Sequence, residues 1–379
     1  MSKNLYVDFH VIQNVPPSCI NRDDTGSPKT AIYGGTMRAR VSSQAWKRAM
    51  RLRFKDENLF PSDLLGVRTR HHINLVADRI QEEHPEIAVE EAKKMASTIL
   101  KLAKSGSGNQ KKDSKKASGD GDETEDKNMK SDGKEVMFLL SNKQIGNIAE
   151  LAVKYHSDAE MGKDKKMKEC VESALQKDPS IDILLFGRMA ADNTNLEYDA
   201  AAQVAHSIST HTVSNEYDYF TAVDEFEKDN AGAGHLGTVE FNSSTLYRYA
   251  TVNVRELAEN LNPDELKLVI KGFAEAFVRS MPTGRQNTFA NGTLPDMIYV
   301  TLREDQPINL VGAFEKPIYA GTEGYLRKSE TALVDHAKDI YQKYAAEPKK
   351  AWIVGDSEEG FAEKVNFKEL LEKLEIEIV

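Results

Sequence analysis

Cysteine is scarce: Cys19 and Cys170 are the only two in the 379-residue chain, too few for a disulfide framework and without metal-site spacing. A reducing cytoplasm is the expected compartment, and structural zinc is not expected. No stretch reaches the roughly 18 to 20 apolar residues that a membrane span needs. The opening MSKNLYVDFHVIQN has no basic stretch followed by an apolar one, so no export signal is expected there. Internal repeats are missing too, and the glycine-containing loop PTGRQNTFANGT (282–293) matches no Walker or dinucleotide fingerprint. Positive charge is in deficit, with 50 Lys and Arg against 60 Asp and Glu and a net charge of −10, and such a far field opposes a polyanionic partner. What remains is ordinary for a globular protein. Hydrophobic residues make up 40% and charged residues 29%, which excludes a collagen-like or wholly disordered chain.

The charge is unevenly spread. Between Arg22 and Lys55 stand nine basic residues against Asp23 and Asp24, a local balance of +7. From Thr331 to Val379 seven basic residues face eleven acidic ones. Such a molecule could bind nucleic acid on one side or pair head to tail with its own copies.

Leu5, Val7, Phe9 and Val11 alternate with Tyr6, Asp8, His10 and Ile12, which predicts an opening strand with one face on a core. Ser42 or Ser43 can cap a helix running to about Phe54, with Trp46, Ala49, Met50 and Arg53 on its inner face. Helical patterns fill 63–103, with Pro85 separating two helices. Residues 104–135 carry eight basic and eight acidic residues but no aromatic, leucine, isoleucine or valine, so a flexible insertion is expected. Helices near 141–156 and 160–176 precede IDILLFG, which reads as a strand returning the chain to its sheet. Strands across HLGTVEFNSSTLYRYATVNV, a helix opened by Asn262-Pro263-Asp264-Glu265, a strand MIYVTLR and helices near 331–345 and 366–374 complete the pattern. The order predicts an α+β fold, a ferredoxin-like or RRM-like β-α-β-β-α-β core with greatly expanded loops.

Four segments now coincide with a known family: SCINRDD (18–24), AIYGGTMRARVSSQAWKRAMR (31–51), LFGRMAADN (185–193), and VAHSISTH to TAVD (204–224) continued by AGHLGTVEFNSSTLYRY. They resemble the CasC-type backbone subunit, the type I-E member of the seventh Cas family, found in the CRISPR surveillance complex Cascade. The resemblance spans nearly the whole chain apart from the 104–135 insertion. It implies a modified RRM palm with a large helical finger insertion and a β-hairpin thumb. Palm would occupy 1–60, 181–209 and 239–379 with the C-terminal segment, finger 61–180 with 105–134 as a flexible insertion, and thumb 210–238. It further implies a cytoplasmic, non-catalytic scaffold whose copies polymerise along CRISPR RNA. Its other partners would be target DNA as complementary strand and duplex, further Cascade subunits and a recruited helicase-nuclease. No cofactor, metal or membrane partner is expected.

A guide that must pair with many targets is held by its phosphates, leaving base edges free. Ser42, Ser43 and Gln44 at a helix start offer amides and side-chain donors, with Lys47, Arg48 and Arg51 one turn behind. By resemblance Arg22, Lys29, Ser42, Gln44, Lys47 and Arg51 match positions that contact the RNA backbone. The plain alternative is a solvated basic helix face with a serine cap. Family analogy places Met189 beneath the RNA as an adaptable apolar wedge, although a methionine there would ordinarily be a packing residue. Tyr219, Phe220, Thr221 and Leu236 match thumb residues around a displaced base; a hairpin cluster packed on itself is the alternative. In PTGRQNTFANGT (282–293), Arg285, Gln286 and Asn287 suit RNA or neighbouring-subunit contact, or an ordinary turn. Lys163, Lys165, Lys166 and Lys168 form either a solvated face or, as in the family, a helix touching duplex DNA.

The rival class is a metal-dependent RNase using Asp23 and Asp24, as in related type III backbone proteins. Those acids could equally cap a turn or pair with Arg22. A third class, a filament protein without RNA, accounts for the acidic tail but not the basic block. His71, His72, His206 and His211 lack neighbouring ligands at metal spacing, and His206, in an Ala-rich helical pattern, reads as a core or cap residue.

Overall fold

The computed structural model describes residues 4–104, 137–157, 164–190, 193–222, 236–356 and 358–378. The 105–134 insertion and Lys163 lie outside them, as does the side chain of Lys165. The chain divides into two compact units, Met1–Leu59 with Ala202–Val379, and Phe60–Ala201. The first unit opens with β1 (Tyr6–Ser18), β2 (Thr30–Tyr33), β3 (Thr36–Val41) and α1 (Ser43–Asp56). The second supplies β4 (Gly66–Thr69), α2 (His72–Glu83), α3 (Val89–Lys104), β5 (Phe138–Ser141), α4 (Asn142–Ser157), α5 (Asp164–Gln176) and α6 (Ile181–Phe186). The chain then returns through β6 (Ala202–Val204), β7 (Ser207–Ser209), β8 (Glu216–Thr221), β9 (Leu236–Asn253), α7 (Val254–Ala258), α8 (Pro263–Arg279) and α9 (Gln286–Phe289). It ends with β10 (Met297–Arg303), α10 (Leu326–Lys343), β11 (Lys350–Val354), β12 (Glu363–Lys364) and α11 (Phe367–Glu377).

In the first unit the strands form one sheet in the order β12-β11-β10-β1-β9-β7-β3-β2, with β6 and β8 also paired to β9. Both neighbours of β1 run antiparallel to it. The expectation of a strand with one covered face is corrected: Val7 to Gln13 are all buried, the polar Asp8 and His10 included. Phe9 meets Phe273 and Phe277 of α8, while His10 stacks near Tyr247 and Tyr299. On that second side Ile12, Tyr247 and Tyr299 share a core with Leu310, Phe314 and, from α10, Leu333 and Val334. A strand buried on both faces loses the polar half of its alternation, and here it keeps polar side chains by pairing them.

Pro16 and Pro17 cannot donate to a ladder, and the β1–β9 register shifts between Val15 and Ser18. There the chain leaves the sheet for the 18–24 segment. α8 begins as its sequence predicts, with a full capping box between Asn262 and Glu265 and a proline in its first turn.

The second unit is held by a core from α2 to α5 that includes Val76, Ile80, Ile99, Ile148 and Val171. The expected strand at IDILLFG is α6 instead, a buried helix ended by Gly187 at φ 75°. Six residues, five of them apolar, fit either state. Ser180, whose carbonyl accepts from Ile183 and Leu184 N–H and whose hydroxyl donates to Asp182 Oδ1, together with a left-handed glycine, selects the helix. The main sheet therefore resumes at Ala202, and β11 and β12 extend it where the sequence reading named no strands. No helix among the described residues is long and apolar enough to cross a membrane.

Candidate nucleic-acid interface

Within the first unit, α1 carries most of the expected phosphate contacts. Ser42 is its N-cap, with Oγ accepting from Ala45 N–H and its own amide donating to Asn21 Oδ1 at 2.9 Å. Trp46 anchors the inner face: buried, it donates from Nε1 to Ser207 Oγ at 3.0 Å and lies under the Arg248 guanidinium, 3.8 Å from its centroid. The outer face then carries exposed Gln44 and Arg48, with Lys47 and Arg51 half-buried. Burial lowers the Lys47 ammonium below its ordinary range.

The +7 block is thus not one uniform patch. Arg38 is fully buried and donates to the carbonyls of Ser209, Phe314 and Glu315, so it braces the β2–β3 hairpin. Lys29 is buried too, and lines a small pocket with Asn21, Arg40, Asn242 and Ser244. Arg22 and Arg40 remain half-exposed. Arg40 donates through Nε to Thr30 O, and its Nη1 reaches His206 Nδ1 at 3.3 Å.

The 282–293 loop comes to the same place. A Cβ on Gly284 would lie 2.3 Å from Ile20 O, so only glycine allows the loop to rest against the 18–24 segment. Arg285, at φ 46° and ψ 29°, then opens α9, with Gln286 and Asn287 exposed. Both Arg22 and Arg285 act on the thiol of Cys19, whose pKa burial raises to about 11. Asp23 serves a turn: its Oδ1 accepts from Thr25 N–H, Thr25 Oγ1 and Ser27 N–H. The Thr25 hydroxyl is the largest influence holding Asp23 below the usual carboxylate range. Among the described residues no three His, Cys, Asp or Glu side chains gather as a metal ion would need.

β8 and the first half of β9 make a two-stranded arm, with Tyr219 opposite Thr238, Phe220 opposite Gly237 and Thr221 opposite Leu236. Every residue of β8 is exposed. Phe220 is packed on its own hairpin, its ring covering Gly237 so closely that a Cβ there would meet Cζ at 2.4 Å. Tyr217, Tyr219, Thr221 and Leu236 share the opposite face, with Tyr217 67% and Tyr219 65% exposed. Tyr217 went unnamed in the sequence reading, although the period of two points to it.

In the second unit Met189 is 83% exposed, not packed as its apolar neighbours suggested. Its neighbour Arg188 explains the display. Buried, it donates to Leu196 O, Leu175 O and Gln144 Oε1 and lies over the Phe138 ring, which pins the loop while Met189 points out. Burial lowers the Arg188 pKa to about 10. On α5, Lys166 is exposed and Lys168 pairs with Glu172 at 3.8 Å.

The histidines divide. His211 is a satisfied core residue: Nδ1 donates to Thr212 O, Nε2 accepts from Thr245 N–H, and its ring stacks on Tyr325 at 3.7 Å. His206 is exposed and follows a strand rather than lying in a helix, a correction to the Ala-rich helical reading. It meets the start of α1, where Ser43 N–H reaches its Nδ1 at 3.4 Å.

The chain is similar to a subunit in a solved structure of a CRISPR RNA-guided surveillance complex, pre-nicking, at 30% identity and a TM-score of 0.79, covering 99% of this chain and 100% of that one. A second CRISPR RNA-guided surveillance complex contains a chain 25% identical with a TM-score of 0.59, each covered to 98%. No curated protein matches. The family model for the CT1975-like protein matches residues 7–376, and the chain belongs to that family.

Proposed function

We propose that this protein is a backbone subunit of a type I-E Cascade complex, of the CasC type, and that its copies polymerise along CRISPR RNA. The observation that carries the reading is the end-to-end likeness, at 30% identity, to a subunit of an RNA-guided surveillance complex. Phosphates would meet Arg22, Gln44, Lys47, Arg48 and Arg51 and the first turn of α1, with Arg285, Gln286 and Asn287 beside them. The β8–β9 arm would be the thumb that displaces a base at intervals, and Met189 a wedge beneath the strand. The helical unit would be the finger, and its α5 lysines would sample duplex DNA.

The first unit supports an RRM-like palm. Its central strands run β10-β1-β9-β7, with α1 and α8 as the crossovers, which is the strand order of a ferredoxin-like core. An ordinary RRM stacks bases on its open sheet face, but here α10 and the turn at Leu310–Phe314 cover that face. RNA would then run along the rim. Target DNA, other Cascade subunits and a recruited helicase-nuclease belong to the same reading, with cutting delegated to the last.

The RNase alternative has less support, because one oxygen of Asp23 is committed to its own turn. Co-expression with the partner subunits, purification and sequencing of the retained RNA tests the scaffold. Repeat-flanked guides of uniform length are expected; no bound RNA would overturn it. Incubating the loaded complex with complementary RNA and DNA in magnesium, as wild type and as Asp23→Ala with Asp24→Ala, tests the alternative. Regularly spaced products lost in the double variant would establish cleavage.

A further inference from the structure

The β3–β7 register pairs Arg40 with Ile208 and Val41 with Ser207. Continued one residue, it brings His206 beside Ser42, the N-cap of α1. This placement is built from several directions: Asn21 holds Ser42 N–H, Ser207 holds Trp46 Nε1, and Thr30 O holds Arg40 Nε. The result is an exposed imidazole whose Nδ1 lies 3.3 Å from Arg40 Nη1 and 3.4 Å from Ser43 N. An Nδ1 facing two donors is the acceptor, so the ring is the neutral tautomer with its proton on Nε2. Both contacts are long for N–H···N bonds and are cheaply exchanged.

A guanidinium and the first amide of a helix are also the donors that a phosphate oxygen seeks. Resting on the RNA-binding reading above, we infer that His206 is a placeholder: its Nδ1 occupies, in the RNA-free protein, the acceptor position that an RNA phosphate takes on binding. Arg40 and Ser43 N–H stay satisfied until the phosphate arrives, and the imidazole then swings aside. Arg40 becomes a direct phosphate contact and His206 a positioning residue that sets how readily the site exchanges its acceptor. Two weak bonds must be given up for two charge-assisted ones, so His206 lowers affinity and discriminates against ligands too poor in charge to displace it.

Titrating the full-length chain with a labelled single-stranded RNA over a series of salt concentrations tests this. Arg40→Gln is expected to weaken binding and to reduce the log–log salt slope by about 0.7, one phosphate contact on a single strand. His206→Ala is expected to tighten binding by about threefold, the size of one or two modest hydrogen bonds, with the salt slope unchanged. His206→Gln, which restores an acceptor, is expected to return the affinity to the wild-type value. In the Arg40→Gln background the gain from His206→Ala should shrink. A structural cap would behave differently: His206→Ala would lower both the melting temperature and RNA affinity, and that result, or unchanged affinity in His206→Ala, overturns the placeholder. Wild-type protein that binds no RNA under any salt condition, alone or co-expressed with its partners, would instead defeat the RNA reading itself.

Discussion

Lys47 and Arg51 stand one turn apart on α1, half-buried and aimed off the face that Trp46, Ala49 and Met50 bury. Replacing both with alanine is expected to leave the fold intact, because neither fills the core, while reducing the salt slope of RNA binding by about 1.4, two single-strand contacts. Filter binding across a salt series reads this directly, and an unchanged slope would remove both residues from the interface. A second pair lies inside β1. Burial raises the Asp8 carboxyl from 3.8 to about 6 and lowers the His10 imidazole from 6.5 to about 3. Folding therefore favours a protonated Asp8 and a neutral His10. As pH falls, His10 withdraws stability from its unfolded value of 6.5 downward, whereas Asp8 adds stability from about 6 toward 3.8. Between about pH 6 and 3.8 the two slopes oppose each other in the native chain, and outside that window, up to 6.5 and down to about 3, the His10 loss stands alone. Asp8→Asn should leave the His10 loss uncovered, so its melting temperature falls between about pH 7 and about pH 5, and His10→Gln should reverse the sign. Equal slopes in the two variants would refute the assignment.

Elements differ in how much of them the sequence shows. α1 and α8 were legible because a cap and a 3.6-residue apolar period coincide in each, with a first-turn proline and acidic residues added in α8. α6 was not: its five consecutive buried residues have no period, and the deciding features are a left-handed Gly187 and the surroundings that bury it. The exposed display of Met189 was equally hidden, since it depends on Arg188 finding carbonyls at Leu175 and Leu196 and a ring at Phe138. His206 and Arg40 meet only through the β3–β7 register, which joins positions more than 160 residues apart in the chain. The β8–β9 arm was legible in part. The aromatics of β8 were visible, but which of them share a face follows from pairing with β9. That pairing carries a prediction. Tyr217 and Tyr219 project from one exposed face, so each can stack a base, and Tyr217→Ala should weaken binding of single-stranded RNA by about 1–3 kcal/mol without changing the salt slope. Phe220→Ala should instead loosen the arm, because that ring covers Gly237. Fluorescence titration distinguishes the two, and no effect of Tyr217→Ala would confine stacking to Tyr219.

At the scale of the whole molecule, the first unit has spent both faces of its sheet on packing. α1, α8 and α11 pack together, α8 meeting Phe9 on one side, while α10 and the Leu310–Phe314 turn close the side carrying Tyr247, Tyr249 and Tyr299. The tyrosines that an open sheet would offer to bases are consumed there: Tyr299 and Tyr341 share a hydroxyl contact at 3.1 Å, Tyr247 meets His10 Nδ1, and Tyr249 donates to Asp8. In the RNA-binding reading proposed above, the ligand would use the rim, where the chain leaves β1 at its paired prolines, enters α1 and passes the 282–293 loop. A long polyanion held at a rim leaves its other edge open, which suits a guide that must still pair. The packing role and the rim role make separable predictions. Tyr299→Phe removes one buried hydroxyl contact and should cost about 1 kcal/mol of stability, readable as a lower denaturant midpoint, with RNA affinity unchanged. Arg48→Ala, on the exposed face of α1, should weaken RNA binding and leave the midpoint in place. If Tyr299→Phe instead reduced affinity at constant stability, bases would have to reach the sheet face, and α10 would have to move away for them to do so.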